Sequence, residues 1–260
     1  MSTYDELARL LMREHAAATK FHPMGPETGV SDLASAYEVQ RRYVSLMSEA
    51  AGAPAGYKIG LTSARMQKMC NIDQPVAGVV LASRVMKNGV VLQASRYHHM
   101  GLEFEVGVRL GRDLPRGDAP LTRDRVAQAI DGVCAAVEVV DDRNADYATL
   151  EALSLIADNS WNAGAVLGAF STSWDNLEAA TGIVELNGQE IDRGYGRDVL
   201  GHPFVPLTWL ANHLAETGGA LRAGDVVLTG SLIPTRFPKG PGAFRYELSG
   251  IGTIELSVEF

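Results

Sequence analysis

The chain has 260 residues, of which 46% are hydrophobic, and its formal net charge is −8. This length and apolar content allow one large core, or one core with a small appendage. The negative charge disfavours nucleic acid and anionic membranes as partners, although a bound metal ion can still attract an anionic substrate. No apolar run reaches transmembrane length, no signal peptide is evident, and Cys70 and Cys134 are too few for a disulfide framework. We therefore expect a cytoplasmic protein.

The N-terminal residues 1–55 predict a helical segment that precedes a β-rich body at 56–260 within one structural unit. An apolar stripe from Leu7 to Leu11 predicts a first helix. Ser31 is placed to cap a second helix, whose apolar stripe runs from Leu33 to Met47. Gly52 and Pro54 end it.

A short strand follows at Tyr57-Lys-Ile-Gly-Leu61, with Lys58 and Gly60 on the same face. A lysine between apolar neighbours either snorkels at a sheet edge or lies inside a site, and the edge position is the commoner one. Gly60 leaves room for another group to approach the backbone closely.

The stretch from Gly101 to Leu110 alternates apolar and polar residues, which predicts a strand with one apolar face. Its other face carries Glu103 and Glu105, separated by roughly 6.5–7 Å along the strand. Like charges this close repel, so they need a cation, and Arg109 on the same face is one candidate. His98 and His99 precede this strand, and adjacent histidines at a strand entrance are more often surface residues than ligands or proton carriers.

Glu138 lies in the middle of the apolar run Cys134-Ala-Ala-Val-Glu-Val-Val140, which is typical of a strand buried on both faces. An ionised carboxylate there costs several kcal/mol unless it is paired, hydrogen-bonded or bound to metal. Glu103, Glu105 and Glu138 would form an all-oxygen site suited to Mg²⁺ or Mn²⁺. The alternative is a solvated acidic face, with Glu138 paired to a core arginine.

The remaining elements are predicted from periodicity and turn residues. They are helices over 121–131 and 147–157, a strand over 163–167, a hairpin over 182–191, a helix from Pro206, a strand over 226–228 and a final hairpin over 244–260. Two loops carry polar groups suited to a pocket. They are Asp158-Asn-Ser-Trp-Asn162, which is otherwise a simple turn, and Thr229-Gly-Ser231, whose backbone N–H groups can hold a carboxylate.

Five motifs occur in a fixed order along most of the chain. They are Tyr57-Lys-Ile-Gly-Leu-Thr-Ser63, the Glu-x-Glu of Glu103 and Glu105, Glu138 before Asp142-Arg143, Ile156-Ala-Asp-Asn159, and Asp225-Val-Val-Leu-Thr-Gly-Ser231. Together they resemble the 2-keto-4-pentenoate hydratase and 4-oxalocrotonate decarboxylase group of the fumarylacetoacetate hydrolase superfamily.

The resemblance implies an α+β fold, a mixed β-sheet roll with flanking helices and an N-terminal helical segment. It implies Mg²⁺ or Mn²⁺ bound by Glu103, Glu105 and Glu138, with Lys58 in the active site. It also implies substrate contacts along the two polar loops and after the lysine strand, at Leu61, Asp158, Asn159, Ser160, Thr229 and Ser231. Such proteins form homo-oligomers, some as hydratase–decarboxylase complexes.

The resemblance further implies a hydratase that adds water to a 2-hydroxy-2,4-dienoate in aromatic meta-cleavage degradation, giving a 4-hydroxy-2-oxo acid. The alternatives are a 4-oxalocrotonate-type decarboxylase, an acylpyruvate C–C hydrolase with His98 or His99 as base, and a non-catalytic binder. One departure bears on this choice, because Val76 stands where the family pattern has an acid.

Overall fold

The computed structural model describes residues 3–260, which form six α-helices and twelve β-strands. The helices are α1 (Thr3–Ala16), α2 (Leu33–Ala51), α3 (Ala64–Met69), α4 (Arg123–Ala127), α5 (Ala152–Ala157) and α6 (Phe204–Glu216). The strands are β1 (Pro54–Gly60), β2 (Val76–Leu81), β3 (Val85–Lys87), β4 (Val91–Gln93), β5 (Met100–Leu110), β6 (Ile130–Asp141), β7 (Asn162–Leu167), β8 (Thr181–Leu186), β9 (Gln189–Tyr195), β10 (Val226–Ser231), β11 (Gly242–Leu248) and β12 (Gly252–Glu259).

The strands build two sheets. The seven-stranded sheet has the order β2-β1-β10-β5-β6-β7-β3, and the five-stranded sheet has the order β4-β12-β11-β8-β9. In the larger sheet β1 runs parallel to β10, whereas β5 is antiparallel to both of its neighbours. The sheet curls, so that β2 also lies against β7. These mixed sheets and flanking helices confirm the predicted α+β fold class.

The main core lies between the two sheets. The apolar face of β5 is at most 1% exposed and packs there with residues of β11 and β12. A second apolar cluster joins α1, α2 and α5 to the outer side of β2. The polar face of β5 is thereby turned away from the main core, toward the inside of the curled sheet.

Several predicted boundaries are wrong, including that of the helix predicted from Pro206, which begins at Phe204. Asp32, rather than Ser31, caps α2, because its carboxylate accepts the Ser35 N–H at 2.8 Å in a reciprocal capping box. The helix predicted over 121–131 ends early, because Ile130 already pairs with β5. The helix predicted over 147–157 begins only at Ala152, since the Asp146 side chain accepts a backbone N–H and forms a turn.

No helix within residues 3–260 is both long and apolar enough to cross a bilayer. Both cysteines are free and buried.

Candidate functional site

Three glutamates meet inside the curled sheet. Glu103 and Glu138 are direct partners across the antiparallel β5–β6 pair, and Glu105 follows on the same face of β5. One oxygen from each lies within 4.8 Å of the others. Glu105 and Glu138 are fully buried, whereas Glu103 is partly exposed and accepts a hydrogen bond from Thr235 Oγ1 at 2.6 Å. Residues distant in the chain therefore form one acidic cluster that is most accessible at Glu103.

Each of the two buried carboxylates has one oxygen held by the protein and one left over. The Gly230 N–H donates to Glu105 Oε2 at 2.6 Å, and Asn162 Nδ2 donates to Glu138 Oε1 at 2.8 Å. Among the described residues, Glu105 Oε1 has no hydrogen-bond donor, and Glu138 Oε2 faces only the ammonium of Lys58, 3.2 Å away. A buried acceptor without a donor is costly, so Glu105 Oε1 is suited to an external ligand, and Glu138 Oε2 has a second lone pair to offer.

Lys58 supplies the positive charge of this cluster. Its side chain is buried, because β1 lies between β2 and β10 and not at the edge of the sheet. Of the two positions that the sequence left open for this lysine, the structure shows the buried one. Its ammonium lies 3.2 Å from Glu138 Oε2 and donates to Ser160 O at 3.1 Å. Burial opposes the charge, but Glu138, Glu103 and Glu105 outweigh it and raise the pKa of Lys58. The lysine therefore remains protonated.

One ammonium does not neutralise three carboxylates. Burial raises the pKa of Glu138 to about 7, with Lys58 opposing the shift and Glu103 adding to it. Burial, and then the charges of Glu138 and Glu103, raise the pKa of Glu105 well above its usual range. The donor set consists of carboxylate oxygens, of which Glu105 Oε1 lacks any partner, and it fits a hard divalent cation such as Mg²⁺ better than Zn²⁺.

Residues 43–259 match the family model for the fumarylacetoacetate (FAA) hydrolase C-terminal region. The chain belongs to the fumarylacetoacetate hydrolase family. It is 30% identical over 249 residues to 2-keto-4-pentenoate hydratase 1 of Dechloromonas aromatica (strain RCB), a match that covers 95% of this chain and 94% of the relative. It is 32% identical over 235 residues to the 2-hydroxyhexa-2,4-dienoate hydratase of Comamonas testosteroni, covering 89% and 87% of the two chains.

Among solved structures, the fold is similar to that of 4-oxalocrotonate decarboxylase from Pseudomonas putida G7 complexed with magnesium and adipate. The TM-score is 0.90 at 25% sequence identity, and the match covers 98% of this chain and 97% of the other. These comparisons confirm the resemblance that the ordered motifs indicated.

Within this family fold, the end of β10, where the sequence predicted a loop at 229–231, shapes the cluster through its backbone. Gly230 has φ +114°, and a Cβ there would lie 2.1 Å from Thr62 Oγ1, so only glycine fits. The loop's N–H holds a carboxylate, as its composition suggested, but the carboxylate is the protein's own Glu105. Thr229 Oγ1 donates to Val106 O at 2.9 Å.

Ser231 is the last residue of β10, and Leu61 directly precedes Thr62, which lies against Gly230. Ser231 Oγ donates to Ile233 O at 2.8 Å and accepts the Phe104 N–H at 3.0 Å. Leu61 is 7% exposed and has φ +54°, a left-handed conformation that is strained for a residue with a side chain. Substrate contacts by Leu61, Thr229 and Ser231 stay predictions.

The turn Asp158–Trp161 anchors β2. Asn159 Oδ1 accepts the Val79 N–H at 2.7 Å and its Nδ2 donates to Val79 O at 2.9 Å, while Ser160 Oγ donates to Ala77 O at 3.2 Å. Three successive residues, Asn159, Ser160 and Trp161, adopt positive φ. This strained backbone presents Ser160 O to Lys58.

Asp158 faces away from the carboxylate cluster. Its carboxylate forms a buried pair with Arg143 Nη2 at 2.7 Å and contacts His15 Nε2 at 2.7 Å. The side chains of Asp158, Asn159 and Ser160 thus all bind protein groups, and their predicted contacts with substrate stay predictions.

Val76 occupies the space beside the lysine where the family pattern has an acid. It is fully buried opposite Gly60, and a methyl group built on Gly60 would lie 3.2 Å from Val76 Cγ2 and 3.6 Å from Lys58 Nζ. A valine there offers no charge, so the lysine relies on the glutamates, Glu138 above all.

Arg109 does not serve the glutamates, because its guanidinium pairs with Asp131 at 2.7 Å. The two histidines are partly buried and each has a carboxylate partner, although their position predicted surface residues. Nδ1 of His98 lies 2.9 Å from Asp141, and Nδ1 of His99 lies 2.7 Å from Asp142. Each imidazole is therefore oriented by a carboxylate from the end of β6.

Sequence patterns missed Thr235 and the specific role of Asn162. Thr235 lies in an irregular segment after β10, where no periodicity marks it. Asn162 belongs to a polar segment singled out as a pocket lining, but its hydrogen bond to Glu138 depends on the β6–β7 pairing, which the sequence does not display.

Proposed function

We propose that this protein is a divalent-metal-dependent hydratase that adds water to a 2-hydroxy-2,4-dienoate and yields a 4-hydroxy-2-oxo acid. The observation that carries the proposal is the cluster of Glu103, Glu105 and Glu138, in which Glu105 Oε1 has no partner and Lys58 lies beside Glu138. Similarity to the two hydratases over most of the chain supports the reaction class.

The three glutamates would hold Mg²⁺ or Mn²⁺. When bound, such an ion supplies Lewis-acid stabilisation of the negative charge that develops on the C2 oxygen of a 2-oxo or 2-hydroxy acid. Asn162, Gly230 and Thr235 each fix one carboxylate oxygen of the set by a hydrogen bond, which orients the other oxygen of each pair.

Lys58 positions the anionic substrate and donates hydrogen bonds to it. Its raised pKa keeps it an ammonium in this cluster, so it acts as a donor and not as a base. Ser160 O and Glu138 fix the direction of Nζ. Because Val76 contributes no second acid, any proton that Lys58 gives up must return through the glutamates, the substrate or water.

The second candidate is a 4-oxalocrotonate-type decarboxylase. Its support is the similarity to the decarboxylase of known structure, at a TM-score of 0.90. Both reactions pass through an enolate-like state, so the same cluster serves either. They differ in products, because the hydratase forms C–O and C–H bonds, whereas the decarboxylase breaks a C–C bond and releases CO₂.

The test is an assay of the purified protein with Mg²⁺ on 2-hydroxypenta-2,4-dienoate and on 4-oxalocrotonate. We expect loss of dienol absorbance with formation of a hydrated 2-oxo acid and no CO₂. CO₂ release from 4-oxalocrotonate without dienoate hydration would select the decarboxylase. Inertness toward both compounds would contradict the proposal and favour a non-catalytic binder.

The variant Glu138→Gln tests the site itself, because it removes one charge and one candidate ligand while keeping the shape. We expect activity to fall by at least about a hundredfold, the scale on which a lost electrostatic group acts. Glu49→Gln, the same change at an exposed position of α2, is the matched control and should retain full activity. An active, folded Glu138→Gln protein would remove the cluster from consideration.

We also propose that the protein assembles as a homo-oligomer and that it forms a complex with a decarboxylase of the same family. Light scattering coupled to size-exclusion chromatography tests this, and a monomer at assay concentration would contradict it.

A further inference from the structure

A second cavity, of about 340 Å³, shares Asn162 with the carboxylate cluster. It is enclosed by α1, α2, the turn after β2 and the segment before β5, through residues such as His15, Tyr43 and Arg84. Its lining among residues 3–260 contains neither Lys58 nor any of the three glutamates. Its volume is at the lower end of ligand-binding pockets, about 300–1,000 Å³, which suits a small molecule.

Two arginines in this lining carry charge that no carboxylate neutralises. The ion pairs formed within residues 3–260 include neither Arg84 nor Arg96. Arg84 is half-buried, and its Nη1 donates to the backbone oxygen of Asn162 at 2.9 Å, while its Nη2 contacts Met47 Sδ at 3.5 Å. Neutral contacts therefore hold the guanidinium in place without cancelling its charge.

The two acids of the lining do not offset both arginines. Asp141 Oδ2 accepts from the His98 backbone N–H at 3.0 Å and lies 2.9 Å from His98 Nδ1. Asp158 pairs with the buried Arg143 at 2.7 Å and with His15. Because Asp158 pairs with Arg143, Asp141 offsets at most one of the two arginines, and the net charge of the lining is positive.

Two buried polar atoms on the lining residues also lack partners. Trp161 and Asn162 are 7% and 5% exposed, and Trp161 Nε1 and Asn162 Oδ1 have no hydrogen-bond partner in the described chain. The indole N–H requires an acceptor, whereas the amide oxygen requires a donor, because its Nδ2 already donates to Glu138. A ligand that satisfies both must offer an oxygen acceptor and a hydrogen-bond donor, and the positive charge of the lining favours a neutral O–H donor over an ammonium.

We propose that this cavity is a binding site for a small hydroxycarboxylate anion. The carboxylate matches Arg84 and Arg96 and accepts from the Trp161 N–H, and the hydroxyl donates to Asn162 Oδ1. The lining includes neither Lys58 nor the three glutamates, so the proposal does not depend on the proposed function, although Asp158 and Asn159 of the lining are also predicted substrate contacts. Since Asn162 also orients Glu138, an occupant of the cavity contacts a residue that positions the carboxylate cluster.

Malate and succinate are suitable probes, because they have the same chain length and carboxylates and differ only in one hydroxyl. Each is titrated by calorimetry into the full-length protein with a chelator present, so that no metal ion attracts the probe to the glutamates. We expect saturable malate binding that is about tenfold tighter than succinate binding, since one buried hydrogen bond is at stake.

Variants locate the site. Arg84→Gln and Arg96→Gln should each weaken malate binding by about tenfold or more, because each removes a charge-assisted contact. Arg96 is exposed, so its variant tests the site even if Arg84→Gln unfolds. Arg193→Gln, on exposed β9, is the matched control and should bind malate like the unaltered protein.

The inference is overturned by any of three results. These are the absence of saturable malate binding, equal affinities for malate and succinate, and unchanged malate affinity in folded Arg84→Gln and Arg96→Gln proteins.

Discussion

Magnesium should stabilise this protein more strongly at alkaline than at acidic pH. Without a cation, Glu138 has a folded-state pKa near 7, raised from 4.5 by burial. A carboxyl whose pKa is raised by folding binds more protons in the folded state than in the unfolded state. The free energy of unfolding therefore falls as pH rises through the window from about 4.5 to about 7.

The size of this effect follows from the shift. Moving the pKa of Glu138 from 4.5 to about 7 corresponds to on the order of 3 kcal/mol of lost stability above that window. A divalent ion replaces the proton and removes the penalty. At a concentration about 100 times its Kd, it adds about 2.7 kcal/mol to the free energy of unfolding. For a chain of this size, that amounts to a Tm increase of about 5–10 °C.

Differential scanning calorimetry in chelator and in saturating Mg²⁺ measures the shift. We expect the full increase near about pH 8 and a much smaller one near about pH 5, where protons compete for the same oxygens. The matched variant is Glu105→Gln, which keeps the Gly230 contact and the Lys58–Glu138 pair while deleting one candidate ligand. It should be more stable than the unaltered protein in chelator near about pH 8 and respond weakly to Mg²⁺. A Mg²⁺ shift that is absent, independent of pH, or unchanged in Glu105→Gln would refute the reasoning.

Three further predictions concern other parts of the site. Lys58→Ala should lower kcat by about a hundredfold or more while changing the Mg²⁺ Kd little, because it removes a substrate donor and no metal ligand. Steady-state kinetics measure the first quantity and calorimetric Mg²⁺ titration the second. A loss confined to Mg²⁺ affinity would contradict the assignment. Gly230→Ala should lower the Tm and weaken Mg²⁺ binding together, since its Cβ would lie 2.1 Å from Thr62 Oγ1, and an unchanged melting curve would refute the steric argument. Arg143→Met should cost about 3–5 kcal/mol in chemical denaturation, because it leaves Asp158 buried without its strongest partner, and a cost below about 1 kcal/mol would show that His15 suffices.

The acidic cluster illustrates how far local patterns reach. Period-two alternation placed Glu103 and Glu105 on one face of a strand, and the apolar run around Glu138 marked a buried acid. Both conclusions rest on side-chain direction and desolvation, which neighbouring residues determine. The same reasoning left Lys58 open between a sheet edge and a site, and it offered Arg109 as one candidate cation for the glutamates; in the structure Lys58 is buried beside Glu138, and Arg109 pairs with Asp131. Each depended on which strands become neighbours, and that is a long-range property.

The loops show a related division. Composition indicated that residues 158–162 and 229–231 would present polar groups. In the structure most of these side chains hold backbone groups of β2 and β5 in place, as Asn159 does for Val79. Whether a polar side chain faces a pocket or a neighbouring strand depends on the backbone dihedral angles, as in the positive-φ turn at Asn159 to Trp161.

The sequence by itself determined the α+β class, the acidic strand, the buried glutamate and the family, because these follow from periodicity, composition and the order of short motifs. Only the tertiary structure decided that Lys58 is the counter-charge of Glu138, that Asn162 and Gly230 orient the carboxylates, and that a separate cationic cavity adjoins them. The physical reason is that charge neutralisation and hydrogen bonding act over a few ångströms. Those distances arise here between residues that are 24 to 125 positions apart in the sequence, and only the packing of the strands brings them together.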